Sequence, residues 1–308
     1  VNYKFQRAYT LTVQGKEAKH VISYPLTLDF KIQRTLYSGL NNGHFEIYNL
    51  KKEVREDIYK DAPDARTLMP IKLEAGYLSR SLQFDEEERF HGPVIFRGTI
   101  TSACSYRASG TDIITEIEAD DGAVAVNNAR VKLALYKDDW IGPNFKSAIR
   151  ALAKNMEQYG VTIGAVGSYN PNGFRGVTWD GLCWPILKKL AGGDGSTFID
   201  LEKLHILRNH DALVIPEALP AIDDSIGMIG TPRKKEDTVD FKMVFEPGIT
   251  TGQIIEIKST ILGNVNGIYR VQGFSHQGMI SKAKCGECVT NVTCVKPNDQ
   301  AINPITVR

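Results

Sequence analysis

Cysteine is scarce in this chain: five in 308 residues, an odd number and too few to staple a chain of this length. A disulfide framework is excluded as the basis of the fold, and synthesis in a reducing compartment fits. Long hydrophobic runs are missing as well. Stretches such as ALVI at 212–215 fall far short of the roughly 20 apolar residues that a membrane-spanning helix requires, so no membrane anchor is expected. Charge of one sign is also lacking, because 37 basic and 36 acidic residues leave a formal net charge of +1. No global field draws the chain to nucleic acid or to an anionic surface, although that balance leaves room for a local basic lining. The first residues, VNYKFQ, carry neither a basic start with an apolar block nor a small-residue cleavage site, so secretion by that route is not expected.

Motifs that carry chemistry are equally sparse. Neither HExxH nor GxSxG occurs. AGGDGSTF lies between a helical and a strand pattern, whereas a phosphate loop runs from strand to helix so that the helix N-terminus meets the anion. The run Arg233 to Lys235 is offset by Glu236 and Asp237 and flanked by strand patterns, which reads as a solvated hairpin tip.

What is present is alternation. Tyr9, Leu11 and Val13, then Leu26, Leu28, Phe30 and Ile32, alternate with polar residues as half-buried strands do. Asn49 reads as an N-cap opening a short amphipathic helix with Leu50, Val54 and Ile58 on one face. IKLEAGY, PVIFRGTITSACSY and TDIITEIEADDG continue the strands on either side of the charged loop FDEEERFHG. Residues 1–127 therefore predict a first antiparallel β-barrel or sandwich carrying one helix.

Residues 128–209 predict a small α/β unit. Phe145, Ala148, Ile149, Leu152, Ala153 and Met156 follow helical spacing, and Gly160 stands where a C-terminal glycine belongs. VTIGAV predicts a strand, WDGLCWPILKKLAGG a second helix with Pro185 near its first turn, and STFIDLEKLHILRN a hairpin. Residues 210–308 return to strands at regular spacing, IGMIGTP through ECVTNVTCVK, and predict a second barrel. The expected fold class is mainly β, in the α+β sense.

Three residue groups invite functional readings. Glu116, Glu118, Asp120 and Asp121 offer paired carboxylates, but alternation puts Glu116, Glu118 and Asp120 on one strand face, which reads as a solvated outer face, with the Asp-Asp-Gly end as a turn. His205 and His210 lie five apart with Asp211 adjacent; an odd spacing sends strand side chains to opposite faces, and His210 falls on a turn. His20, His44, His91 and His276 are isolated from one another in sequence. KCGECVTNVTC holds three cysteines, with Cys288, Thr290, Val292 and Cys294 sharing a strand face. On a continuous strand, at ~3.3 Å per residue, Cys288 and Cys294 lie roughly 20 Å apart, too far to hold one tetrahedral ion. Zinc would need Cys285 and Cys288 plus ligands from elsewhere, such as Cys104 or a histidine. The stretch reads better as the last strand of the second barrel, and neither a catalytic nor a metal site is expected.

In the order of its segments the chain resembles a known family. YPLTLDFKIQRTLYSGLNNGHFEIYNLKKEVREDIYKDA, IKLEAGY and VIFRGTITSACSYRASGTDIITEIEADDG resemble the N-terminal half of baseplate hub proteins of contractile-tailed bacteriophages. WDGLCWPILKKLAGGDGSTFIDLEKLHILRN is similar to their central α/β unit, and IGTPRKKEDTVDFKMVFEPGITTGQIIEIKS with GIYRVQGFSHQG to their second β-domain. The resemblance implies two barrels of tail-tube type, related to the base of type VI secretion spikes. It implies a homotrimer whose six barrels join the hexameric tail tube to the trimeric central spike. It implies a structural virion protein of the tail baseplate, assembled in the host cytoplasm, with no enzymatic activity and no cofactor. The implied partners are copies of the same chain, the tail tube or tube-initiator protein, the spike, the tape-measure protein and the baseplate wedge, with DNA only passing through the lumen. Some hubs carry a fused wall hydrolase, but the three regions account for all 308 residues here. The competing expectations are a glycan-binding tail component using Trp140, Trp179 and Trp184 for stacking, although Trp179 and Trp184 flank or enter a helix and read better as core packing, and a wall hydrolase using the Glu116 to Asp121 carboxylates.

Overall fold

The computed structural model describes residues 4, 6–37, 40–61, 67–78, 90–136, 145–167, 176–193, 195–214, 222–223, 227–282, 286–296 and 303–306. Strands β1 (Arg7–Gln14), β2 (Lys19–Ser23), β3 (Leu28–Thr35) and β4 (Asn41–Tyr48) lead into helix α1 (Lys52–Ile58). β5 (Pro70–Tyr77), β6 (Val94–Arg107) and β7 (Ile113–Asp121) complete the first β segment. The middle segment holds α2 (Ala123–Asn128), β8 (Arg130–Tyr136), α3 (Phe145–Glu157), β9 (Thr162–Val166), β10 (Gly176–Leu182), α4 (Cys183–Ala191), β11 (Gly195–Asp200) and β12 (Lys203–Arg208). The last segment holds β13 (Asp211–Val214), β14 (Ile222–Asp223), β15 (Met228–Lys235), β16 (Thr238–Val244), β17 (Ile254–Lys258), β18 (Gly267–Ile280), β19 (Cys288–Val295) and β20 (Asn303–Thr306).

The protein is mainly β, and its largest sheet curls into a half-barrel. Eleven strands of that sheet run in the order β15-β16-β19-β18-β3-β4-β7-β6-β5-β1-β2, with β17 branching from β18 and β14 pairing with β17. Strands from the two ends of the chain meet at its centre, where β18 pairs antiparallel with β3 from Gly273↔Thr35 to Ile280↔Leu28. The first and last β segments thus share one hydrogen-bonded sheet.

Alternation decides which face is buried. On β3, Leu28, Phe30 and Ile32 point into one core while Lys31 and Gln33 face outward. That core gathers Tyr9, Leu11, Phe45, Phe96 and Ile117 with Phe245 and Cys288 from the last segment. Phe30 meets Phe245 edge-on at 5.9 Å and Phe45 meets Phe96 at 5.4 Å. Complete burial of one such ring is worth about 1.5–3 kcal/mol. A second core is built from the last segment, with Phe241, Met243, Ile257, Val271, Val292 and Cys294. Strand β19 feeds both, Cys288 into the first and Cys294 into the second.

The middle segment has its own core of Ile149, Leu152, Met156, Leu187, Leu204 and Ile206. Helix α3 buries Ala148, Ile149, Leu152, Ala153 and Met156, the stripe its spacing predicts, and Gly160 follows it with φ +84°. Pro185 stands in the first turn of α4, where a missing N–H costs nothing. The β11–β12 hairpin turns at Leu201 and Glu202, both at positive φ.

Four local readings need correction. Asn49 does not cap α1: it sits at φ +58°, its side chain donates to Asp112 and accepts from the Ile113 amide at 3.0 Å, and the helix starts after Lys51. Residues 179–182 of the WDGL stretch belong to β10, not to the second helix, because they pair with 130–133 of β8. The Asp-Asp-Gly end is more than a turn, since Gly122 opens α2. β19 is not the last strand, because β20 follows and pairs parallel with β13. The charged loop FDEEERFHG lies largely outside the described residues.

Candidate functional site

The outward face of the sheet at β3, β4, β7 and β6 forms an open polar hollow lined by Lys31, Gln33, Asn42, His44, Glu118 and Asp120, with Thr101 and Ser102. Strand register builds it. Lys31 lies opposite His44, His44 opposite Glu118, and Glu118 opposite Ser102, so one row of side chains crosses four strands. The neighbouring row carries Asp29, Glu46 and Glu116. Further along the same sheet the face stays polar, with Asn291 donating to Ser275 and Thr293 to Asp240.

His44 is the centre of this face. Its Nδ1 lies 2.6 Å from Glu118 Oε1 and 3.7 Å from Glu116 Oε1, and its Nε2 lies 3.4 Å from Glu46 Oε1. Partial burial opposes charge on the ring, but the hydrogen bond and charge of Glu118, with Glu46 and Glu116 behind it, hold its pKa above the ordinary histidine value. Burial, then repulsion from Glu46, raises the Asp29 carboxyl; burial, then Glu118, raises Asp120. Over β3, β4 and β7 this face carries the carboxylates Asp29, Glu46, Glu116, Glu118 and Asp120 against Lys31 and the ring of His44. It is an anionic patch.

Glu116, Glu118 and Asp120 share this face as alternation predicts, all partly exposed. Asp121 points the other way, is buried, and accepts the Glu202 amide at 3.0 Å. The four carboxylates therefore do not converge on one cleft. Sequence reading missed His44, because 74 residues separate it from Glu118 and only the β4–β7 pairing brings them together.

The other candidates scatter. His205 is buried on β12, stacks on Phe198 at 5.1 Å and accepts the Ala165 amide at 3.1 Å; burial pushes its pKa down to about 4. His210 lies on the turn after β12, apart from it, and Asp211 is buried and accepts the Arg208 amide at 2.8 Å. Trp179 and Trp184 pack in the α/β core, which agrees with the packing role their positions suggest; Trp140 lies outside the described residues. Cys288 and Cys294 are buried on one face of β19, Cys104 is exposed on β6, and Cys285 lies outside the described residues. Arg233 to Lys235 end β15 in the exposed hairpin to β16.

A buried polar seam fixes the α/β unit to the sheet. Arg34 Nε donates to Asp200 Oδ1 at 2.6 Å, Asn41 Nδ2 to the Ile199 carbonyl at 2.7 Å, and Arg270 Nη1 to the carbonyls of Arg208 and Asp211 at 2.9 Å each. Each bond joins a β3, β4 or β18 residue to the segment from β11 to β13.

Solved structures share this architecture. The 43 kDa tail protein of prophage MuSo2 from Shewanella oneidensis superposes with a TM-score of 0.58 at 8% identity, over 94% of this chain and 97% of its own. The tail protein from Neisseria meningitidis MC58 gives 0.56 at 10% identity, over 94% and 96%. The E. coli c3393 protein, a type VI secretion component, gives 0.54 at 8% identity, over 95% and 78%. At such identities the likeness speaks for the fold alone. No curated protein matches the chain in sequence. The family model described as baseplate hub gp41 matches residues 8–281. The chain therefore belongs to the baseplate hub gp41 family, structural components of the phage tail.

Proposed function

We propose that this protein is the central hub of a contractile-tail baseplate, forming a homotrimer that joins the hexameric tail tube to the trimeric spike. In this reading residues 1–127 and 210–308 are two barrels of tube type flanking the α/β unit at 128–209. Three chains then present six barrels to the tube and a threefold end to the spike. The observation that carries the reading is the β3–β18 pairing, which sets the first and last β segments side by side in one sheet over two cores, the first of them shared by both segments. The shared outward face, polar from β16 to β6, supports its use as a lining wetted on one side while the other packs on core. Its partners in this reading are copies of itself, the tube or tube initiator, the spike, the tape-measure protein and the wedge.

Mass in solution with and without the spike protein, together with electron microscopy of tails labelled on this chain, tests the proposal. A trimer at the axial base of the tail is expected. Label anywhere else on the virion would sink the hub reading.

A further inference from the structure

We infer that His44, Glu116 and Glu118 form a divalent metal site on the polar face of the sheet, suited to a borderline transition ion such as Zn2+. The inference stands apart from the hub assignment, because it rests on the local geometry of two strands. His44 comes from β4, and Glu116 and Glu118 from β7. Residues i and i+2 share a strand face, and directly opposed residues of an antiparallel pair bring their Cβ atoms to about 4.5–5.5 Å. The pairing His44↔Glu118, with Glu116 two positions along, therefore aims three donors at one point without any loop. One ligand atom from each of the three lies within 4.8 Å of the others.

The second observation concerns the far side of the ring. His44 Nε2 lies 3.4 Å from Glu46 Oε1 while Nδ1 faces Glu118 and Glu116. Metal-bound imidazoles characteristically donate their other N–H to a carboxylate, which fixes the tautomer and orients the ring. Glu46 stands where that orienting acceptor belongs. With Nε2–H donated to Glu46, the Nδ1 lone pair is free to face the two glutamates, and the ion replaces the direct hydrogen bond between Nδ1 and Glu118.

Charge and donor chemistry agree. The patch carries more carboxylates than cationic groups, so a dication relieves repulsion among them. One imidazole nitrogen with two carboxylate oxygens suits zinc better than calcium or magnesium, which take oxygen ligands throughout. The three side chains are 31%, 35% and 46% exposed, which leaves the remaining coordination positions to water.

Calorimetric titration of the chelator-treated full chain with ZnCl2 near neutral pH tests this. One saturable zinc per chain is expected. His44→Ala and Glu118→Gln should each weaken binding by at least about tenfold, since even loss of an orienting group costs 10–100-fold. Glu46→Gln should weaken it less than either. Circular dichroism checks that the variants are folded, which their exposed positions favour. X-ray absorption of the zinc-loaded chain gives a readout without any variant: nitrogen and oxygen ligands with one imidazole are expected. Absence of saturable binding, unchanged affinity in both ligand variants, or a sulfur ligand in the spectrum would overturn the assignment.

Discussion

Arg34 on β3 and Asp200 at the end of β11 form an ion pair in which both side chains are 3% exposed, 166 residues apart in sequence. It joins the shared sheet to the α/β unit in a place water does not reach. Removing one partner strands the other charge in a low-dielectric setting. Arg34→Met should cost about 3–5 kcal/mol in urea unfolding. The double variant Arg34→Met, Asp200→Leu should recover much of that loss; equal loss in both would mean that the pair holds no mutual compensation.

Asp121 sits beside that pair. Burial, then the charge of Asp200, pushes its pKa from 3.8 up to about 8. A carboxyl raised on folding keeps its proton in the native state while the unfolded chain has released it. Its contribution is therefore full below pH 3.8 and declines as pH rises toward 8. Asp121→Asn keeps an oxygen for the Glu202 amide and removes the titration. The difference in urea midpoint between variant and parent should grow in the variant's favour from pH 5 to pH 8, and a constant difference would show that Asp121 titrates normally.

The thiols divide by burial. Cys104 is exposed, whereas Cys183, Cys288 and Cys294 are buried. Burial pushes Cys288 up to about 12 and Cys294 well above the ordinary thiol value, so neither supplies thiolate at neutral pH. Brief iodoacetamide treatment of the native protein, read by peptide mapping, should label Cys104 and spare these three until denaturant is added. Native-state labelling of Cys288 at the rate of Cys104 would contradict its place in the core.

Gly278 on β18 lies opposite Cys288 on β19, and a Cβ there would come 2.5 Å from the Cys288 Cα. That contact is with backbone, which cannot swing aside. Gly278→Ala should cost about 1–3 kcal/mol by overpacking. Gly110→Ala, with no atom within 4 Å of its added Cβ, should stay within about 0.5 kcal/mol of the parent in the same denaturation experiment.

The amino-acid sequence by itself determined the elements and their faces. The periods of two and 3.6 at residues 9–13, 28–33, 113–121 and 145–156 are local, and burial follows them except where Thr10 and Ile114 are buried against the alternation. The outward placing of Glu116, Glu118 and Asp120 and the shared strand face of Cys288 and Cys294 were legible that way, and the place of Trp179 and Trp184 beside a helix pointed to the core. Local competition defeated it at Asn49, whose side chain found a better partner in the β6–β7 hairpin than at the helix start. The tertiary structure alone decided which strands pair. Residues 28–35 and 273–280 carry no mutual signal in a single sequence, since alternation specifies a face and says nothing of the neighbour. That choice of neighbours brings His44 to Glu118 and Arg34 to Asp200, contacts whose partners lie 74 and 166 residues away.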